Sequence, residues 1–538
     1  MFADAVAAAI DAAVATELER GRQPGLTLGV TDRDDTLAVR TYGVADLASQ
    51  EPVTPETLFE IGSIGKSFTA ILILQLVDEG KIDLQAPVDR YLRWFSVAQP
   101  AGDSSITIAH LLSHTAGIVA GIDATPEAAF QVWSLRDLPT TSTPGERFHY
   151  SNVGYKALGL VLEAVEGRPY RELLRARILD PLGMSATEPA ITHDIRARLA
   201  VGYEYLHDDR IGHPGAPLAA ATWLETETAD GSIASTAADM CALVRLLLRA
   251  GEGPTGRLLS EQAFAEMTTR HARFDETVGY GFGLTVRDVD GRRFIGHGGG
   301  MVGYLAGVQA DTEAGIGAVV LQNGVSTNPM ELARTAIRIV REGPDRTPPR
   351  AARAKQDTAA AGAYRPDQGG SEPIELVARE DGLMLRVDGR EIALRELDDD
   401  LFLAPDAAFD RFPLYVERAL DSSPELWHGD RRYVRAGTEP RPLAEPSAEL
   451  RSVAGHFRSH NPWTTNFRVL LRGDQPWLVF AAPPDGFDHQ QPLVPSPDGS
   501  FHVGQDPRNP ESVRFDTVLD GRALRAWLSG WPYYRVGS

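Results

Sequence analysis

The chain has 538 residues, 43% of them apolar and 24% charged, an ordinary globular composition spread over too many residues for one hydrophobic core; about two to four domains are expected. Its net charge of −21 argues against nucleic acid or an anionic membrane surface as a partner. A single cysteine, Cys241, excludes an intrachain disulfide framework and any cysteine-based metal site.

Residues 3–20 read as an amphipathic opening helix. This N-terminus lacks a basic region and carries acids at Asp4 and Asp11, so it does not read as a signal peptide, and no run approaches the ~18 apolar residues of a membrane span. A cytoplasmic protein is expected. The β-rich runs Gln23–Val30 and Thr36–Val44, separated by the turn cluster 31–35, form a hairpin.

The segment Leu58–Thr69 then leads into the apolar run Ala70–Val77, which has no breaker before Gly80. The pattern predicts a buried helix with Gly62-Ser63 at its start. Ser63 and Lys66 stand three apart, one helical turn on the same face. A serine hydroxyl is a poor nucleophile until a nearby group takes its proton. A lysine whose pKa is lowered by an apolar helix wall can do so. Lysine occurs only at 66, 81, 156 and 355, and Ser63 is the only serine with a lysine at this spacing.

A further helix is expected over Ile106–His114, stopped by Thr115-Ala-Gly117. His110 and His114 have the spacing of a two-histidine metal face, but no Glu lies between them and no third ligand is evident. Packing or hydrogen-bonding roles are expected for both, with no metal and no cofactor. The loop Pro144–Gly154 carries Tyr150 and Asn152, which can offer a phenol and an amide to one cleft, and a helix follows over Tyr155–Val165. Ala237–Leu248 reads as a core helix, N-capped in the Ser235-Thr236 region, with Cys241 as a core thiol.

Gly279–Val286 and Arg292–Ile295 read as adjacent strands that lead into His297-Gly298-Gly299-Gly300. Glycines there let backbone approach a ligand closely. The stretch enters a strand at Tyr304–Ala310, not a helix, and lacks the Gly-Lys-Ser/Thr spacing of a phosphate loop, so nucleotide binding is not expected. Ile316–Leu321 is the next strand and Met330–Arg341 a closing helix.

Ser63-Ile-Gly-Lys66, Tyr150-Ser-Asn152 and His297-Gly-Gly299 fall in the order and rough spacing of the three active-site motifs of serine β-lactamase-like enzymes. The chain resembles the class C β-lactamase and D,D-peptidase (penicillin-binding protein) superfamily, including its D-aminopeptidase and esterase members. Leu111–Gly117, Asp180-Pro-Leu-Gly-Met184 and Ser235–Met240 agree with it, and the resemblance covers about residues 5–342. It implies an α+β catalytic domain, an antiparallel sheet flanked by helices plus an all-helical subdomain. Ser63 would be acylated while Lys66 helps take its proton. Tyr150 would be the general base, ionised with help from Lys66 and His297 as cationic neighbours. Asn152 would orient Lys66 and the substrate amide, and the backbone N–H groups of Ser63 and Gly300 would form the oxyanion hole. His297, Gly298, Gly299 and Gly300 would line the substrate site.

One departure narrows the function. Penicillin-recognising members carry Lys-Thr-Gly where this chain has His297-Gly298-Gly299, replacing a permanent ammonium and a hydroxyl by a titratable imidazole and a glycine. That weakens the β-lactamase and D,D-carboxypeptidase readings and resembles the D-aminopeptidases and related amidases and esterases. The expectation is a serine hydrolase that forms an acyl-enzyme on Ser63 with a small-molecule or short-peptide substrate, an amidase or aminopeptidase with a D-residue preference. The alternatives are a carboxylesterase or acyltransferase with the same machinery and, further off, a non-catalytic binding protein.

Residues 346–358 read as a Pro-rich linker after a catalytic domain over 1–345. Beyond it the pattern turns to short β-runs and repeats: Ala361-Gly-Ala-Tyr364 resembles Ala454-Gly-His-Phe457, and Trp427 with Tyr433 matches Trp527 with Tyr533. Two small antiparallel, lipocalin-like β-barrels are expected over 359–440 and 446–538. The aromatics of Asn461–Thr465 and Ser529–Pro532 are expected to pack the barrels; the alternative is that one of these loops reaches the catalytic cleft and limits substrate size.

Overall fold

The computed structural model describes residues 4–98, 105–121, 127–344, 359–367, 372–380, 382–418, 424–485 and 487–537. The expected linker 346–358 lies outside the described residues. The first part of the chain is built on a nine-stranded antiparallel sheet. Its middle strands are Tyr304–Asp311, Ile316–Gln322, Gly25–Asp32 and Thr36–Asp46, so the first hairpin of the chain pairs beside the last strand. Residues of Gly25–Asp32 are buried from Gly25 to Thr31 because both faces of the sheet are covered. Leu26, Leu28 and Val30 face one layer, with Ile10 and Val14 of the opening helix (Asp4–Gly21) and Leu332, Ala333 and Ile337 of the closing helix (Pro329–Glu342). Asn328 starts the closing helix as its cap, accepting from the N–H groups of Met330 and Glu331 ahead of Pro329 at the first helical position.

On the other face lies the main core, which gathers the helix Gly65–Asp78, the helix Asn152–Glu166 and the helix Ala237–Leu248. A Cβ on Gly29 would fall 2.7 Å from Cys241 Sγ, so the sheet and the Cys241 helix touch at that glycine. Gly65–Asp78 is apolar on all sides and correspondingly buried from Gly65 to Leu74.

Two expectations about strands change. Gly279–Val286 is not one strand but a hairpin, Val278–Tyr280 against Thr285–Val289. The chain reverses at Gly281–Leu284, with Gly283 at φ +70°. Gly283 sits so close to the Lys66 helix that a Cβ would meet Lys66 O at 2.5 Å, and Ser67 Oγ donates to Gly283 O at 2.6 Å. The local β-propensity is overridden by this tertiary seat. The glycines after His297 do not follow a strand but lie inside one, Arg292–Met301, paired with Tyr304–Asp311.

The remaining chain forms two β-structures. Nine strands between Gly362 and Arg435 make a sheet whose two end strands, Arg390–Ala393 and Arg395–Asp398, adjoin in sequence, so the sheet curls to near closure. Eight strands from Gly455 to Arg535 close a barrel. The sequence repeat maps onto equivalent positions. Tyr364 and Phe457 are buried in first strands and Tyr433 and Tyr533 in last strands, while Trp427 and Trp527 donate their indoles to Glu417 and Asp516 at 2.7 and 2.8 Å. Among the described residues no helix is long and apolar enough to cross a membrane.

Candidate active site

Ser63 occupies a 3-10 turn, Gly62–Ile64, that runs straight into the Lys66 helix. The turn is held from three sides by backbone. A Cβ on Gly299 would stand 1.8 Å from Ile61 O, one on Gly62 would meet Gly300 N at 2.6 Å, and one on Gly65 would meet Gly231 Cα at 2.9 Å. The expected oxyanion donors, the N–H groups of Ser63 and Gly300, therefore belong to backbone segments in direct contact.

Lys66 is fully buried, and its Nζ donates to Asn152 Oδ1 at 2.7 Å, to Asp230 O at 2.9 Å and to Ser63 Oγ at 3.0 Å. Burial lowers its pKa to about 8 against the attraction of Asp230 and Asp485. Two of its three partners are carbonyl oxygens, which can only accept. An uncharged Lys66 amine must keep N–H bonds for those two, leaving its lone pair for the Ser63 hydroxyl.

The Tyr150 phenol interacts with the Ser63 side chain, and Lys66 Nζ lies 4.9 Å from the Tyr150 ring centre. Burial and the nearby charge of Asp485 push the phenol pKa well up, against a lowering by Ser63. His297 is also held uncharged. Burial lowers it to about 4, its Nδ1 donates to Gly298 O at 2.5 Å, and its Nε2 accepts from Tyr280 OH at 2.8 Å. The expectation that His297 acts as a cation to ionise Tyr150 is therefore not what this environment favours. The resting trio is phenol, hydroxyl and a lysine near its titration point.

The histidine pair at 110 and 114 separates into two structural roles. His110 completes the capping box of Ile108–Leu112 with Thr107. His114 lies buried against Tyr150, Tyr155 and Tyr280, where its Nδ1 accepts from Ser151 N at 3.0 Å. Among the described residues no cluster of three or more His, Cys, Asp or Glu side chains could hold a metal ion.

All eight residues expected at the site, Ser63, Lys66, Tyr150, Asn152, His297, Gly298, Gly299 and Gly300, come together; seven line one cleft of about 920 Å³, and Lys66 stands in its wall. Part of that cleft comes from the closed barrel. Pro462, Trp463 and Thr464 of the Asn461–Thr465 segment line it, so this loop takes the alternative role and not that of barrel packing alone. The Ser529–Pro532 segment does not line it; Ser529 instead donates to Glu511, and Gly530 packs against Leu138.

Three contributors were not read from the sequence. Asp485, on the barrel segment Pro483-Pro-Asp485, enters the cleft and accepts from Asn152 Nδ2 at 3.3 Å. Asp230 accepts from Lys66 through its backbone, and its Oδ2 faces Lys156 Nζ at 3.7 Å. Its Oδ1 is buried with no hydrogen-bond partner among the described residues. Lys156 did carry a signal, as a rare lysine inside an apolar helical run. The aspartates carried none, since each sits in an ordinary loop composition.

A beta-lactamase family model matches residues 10–342. Among curated relatives, penicillin-binding protein 4 of Amycolatopsis lactamdurans is 30% identical over 315 residues, covering 56% of this chain and 81% of that one. Among solved structures, the octameric penicillin-binding protein homologue from Pyrococcus abyssi is similar with a TM-score of 0.59 and 25% identity, over 79% of this chain and 99% of that one. A D-stereospecific amidohydrolase from Streptomyces sp. is similar with a TM-score of 0.53 and 27% identity, over 63% of this chain and 98% of that one.

Proposed function

Because the chain belongs to the beta-lactamase family, we propose that it is a serine amidase of the aminopeptidase type, acting on short peptides or amides that present a free amine beside the scissile carbonyl, with preference for a D-residue. The observation that carries this reading is Asp485, a carboxylate placed in the cleft next to Asn152 and Lys66. A substrate ammonium gains a charge-assisted partner there. A penicillin-type carboxylate meets instead a negative charge and, at the third motif, an uncharged imidazole. The similarity to a D-stereospecific amidohydrolase supports the stereochemical part.

In this reading Ser63 Oγ attacks the carbonyl carbon as its proton passes to the uncharged Lys66 amine. The oxyanion is met by the N–H groups of Ser63 and Gly300. Tyr150 then delivers a proton to the departing nitrogen as the C–N bond breaks, and is reprotonated by the Lys66 ammonium, which returns to its uncharged form. Asn152 and the carbonyl of Asp230 hold Lys66 in place. Water attacks the acyl-Ser63 ester by the same route in reverse, releasing the acid and restoring the hydroxyl.

The test is release of p-nitroaniline from D-alanyl, L-alanyl and N-acetyl-D-alanyl p-nitroanilides, with Ser63→Ala as the blank. Fastest turnover of the free D compound, abolished in the mutant, is expected. Hydrolysis of simple esters with no anilide turnover, from an enzyme that still labels at Ser63, would replace this reading with a carboxylesterase.

A further inference from the structure

Glu511, on the closed barrel, is fully buried although it is a carboxylate, and its partners are in the catalytic domain as well as its own. Its Oε1 accepts from the backbone N–H of Ala120 at 2.7 Å and from His149 Nε2 at 2.8 Å. Its Oε2 accepts from Ser529 Oγ, so both oxygens are engaged. A carboxylate buried to this degree is retained only where its hydrogen bonds are met.

Both catalytic-domain partners bear on the second motif. His149 immediately precedes Tyr150. Ala120 O, on the far side of the same peptide segment that donates to Glu511, accepts from Asn152 N at 2.7 Å and from Val153 N at 3.3 Å. His149 N is in turn tied to His114 O at 2.8 Å, and His114 Nδ1 accepts from Ser151 N at 3.0 Å. The stretch 149–152 is thus strapped on one side to the buried His114 and on the other to a barrel carboxylate.

We propose that Glu511 is a positioning residue through which the closed barrel sets the placement of Tyr150 and Asn152 against Ser63. The barrel is then a working part of the site in two ways: it lines the cleft with Asp485 and it braces the second motif from behind with Glu511. This rests on the proposed acyl-enzyme chemistry at Ser63 but not on the identity of the substrate.

The experiment compares Glu511→Ala and Glu511→Gln with the full-length wild-type chain. It reads the second-order rate of Ser63 labelling by a fluorophosphonate together with kcat and KM on the best anilide or ester substrate. Labelling does not depend on the aminopeptidase assignment, so failure of that assignment leaves this test intact. Misplacement of a catalytic group by about 1 Å costs roughly a hundredfold. Glu511→Ala is expected to lose roughly that factor in labelling rate and kcat, with KM changed less than about threefold. Glu511→Gln, which keeps an oxygen for the Ala120 N–H, is expected to recover most of the loss. Wild-type labelling by folded Glu511→Ala overturns the proposal, as does equal loss in the Ala and Gln variants. If Glu511→Ala does not fold, His149→Phe keeps the ring and removes only its bond to Glu511. A loss of about tenfold is expected there, and wild-type rates would overturn the proposal equally.

Discussion

Asn152 donates its side-chain amide to Asp485 across 3.3 Å, so a carboxylate from the C-terminal barrel lies one hydrogen bond from the side chain that holds Lys66. The residues are 333 positions apart. The contact makes the barrel an electrostatic part of the cleft, because Asp485 raises the pKa of both Lys66 and Tyr150.

Replacing Asp485 by Asn separates recognition from chemistry. A hydrogen bond to a charged group is worth about 1.5–3 kcal/mol, so kcat/KM for D-alanyl p-nitroanilide is expected to fall roughly 10- to 150-fold. The N-acetylated compound, which has no ammonium, is expected to lose little or to improve. Equal losses on the two compounds would remove Asp485 as an amine-recognising group.

The pH profile follows from Lys66. Burial lowers it to about 8, and only the uncharged amine can take the Ser63 proton. The rate of Ser63 labelling by a fluorophosphonate, a probe with no amine of its own to titrate, is therefore expected to rise about tenfold per pH unit up to an apparent pKa near 8, then level. Because the charge of Asp485 raises this pKa, the midpoint in Asp485→Asn is expected at lower pH. Lys66→Arg, always protonated, is expected to lose about 10²–10⁴ in the acylation rate with no rising limb. Kinetics in stopped flow across pH 6–10 read both.

Backbone contact at the third motif separates two neighbouring glycines. A Cβ on Gly299 would meet Ile61 O at 1.8 Å, whereas one on Gly298 finds only Met330 Cγ at 3.5 Å and more distant atoms. Gly299→Ala is expected to cost about 1–3 kcal/mol of stability and to suppress Ser63 labelling, since Gly299 rests on the turn that carries Ser63. Gly298→Ala is expected to remain near wild type in both. Thermal unfolding and fluorophosphonate labelling check the pair.

His297 makes the fold sensitive to acid. Burial lowers it from 6.5 to about 4, so between these values the unfolded chain binds the proton that the folded one refuses. Its contribution is complete above pH 6.5 and is lost as pH falls through about 4, roughly 3 kcal/mol in all. Glu60, raised by burial from 4.5 to about 8, has the opposite slope over an overlapping range, so the wild-type curve alone is shallow. The difference between wild type and His297→Gln, from urea unfolding at pH 4 to 7, isolates the imidazole. A difference that does not change with pH would show that His297 is not held neutral.

What the sequence determined by itself was local, or carried by short motifs. Ser63 and Lys66 share a helical turn, so their spacing was enough to place them face to face, and the apolar run behind them was enough to bury the lysine. The barrel repeat was legible because equivalent strands need the same buried aromatics, Tyr364 with Phe457 and Tyr433 with Tyr533. Tyr150, Asn152 and His297 were reached through their motifs, since no local rule brings them to Ser63.

Tertiary structure alone decided the rest, because the controlling contacts are between remote loops whose composition is unremarkable. Asp485 and Glu511 look like any acidic residue of a β-rich tail. One lines the cleft and the other is buried behind Tyr150 only because the closed barrel docks on the catalytic domain. The break at Gly281–Leu284 came from a seat against the Lys66 helix that β-propensity does not record. The charge state of His297 was likewise undecided in the sequence. Imidazole titrates close to neutrality, and only its burial, with Gly298 O and Tyr280 OH as its partners, settles it as neutral.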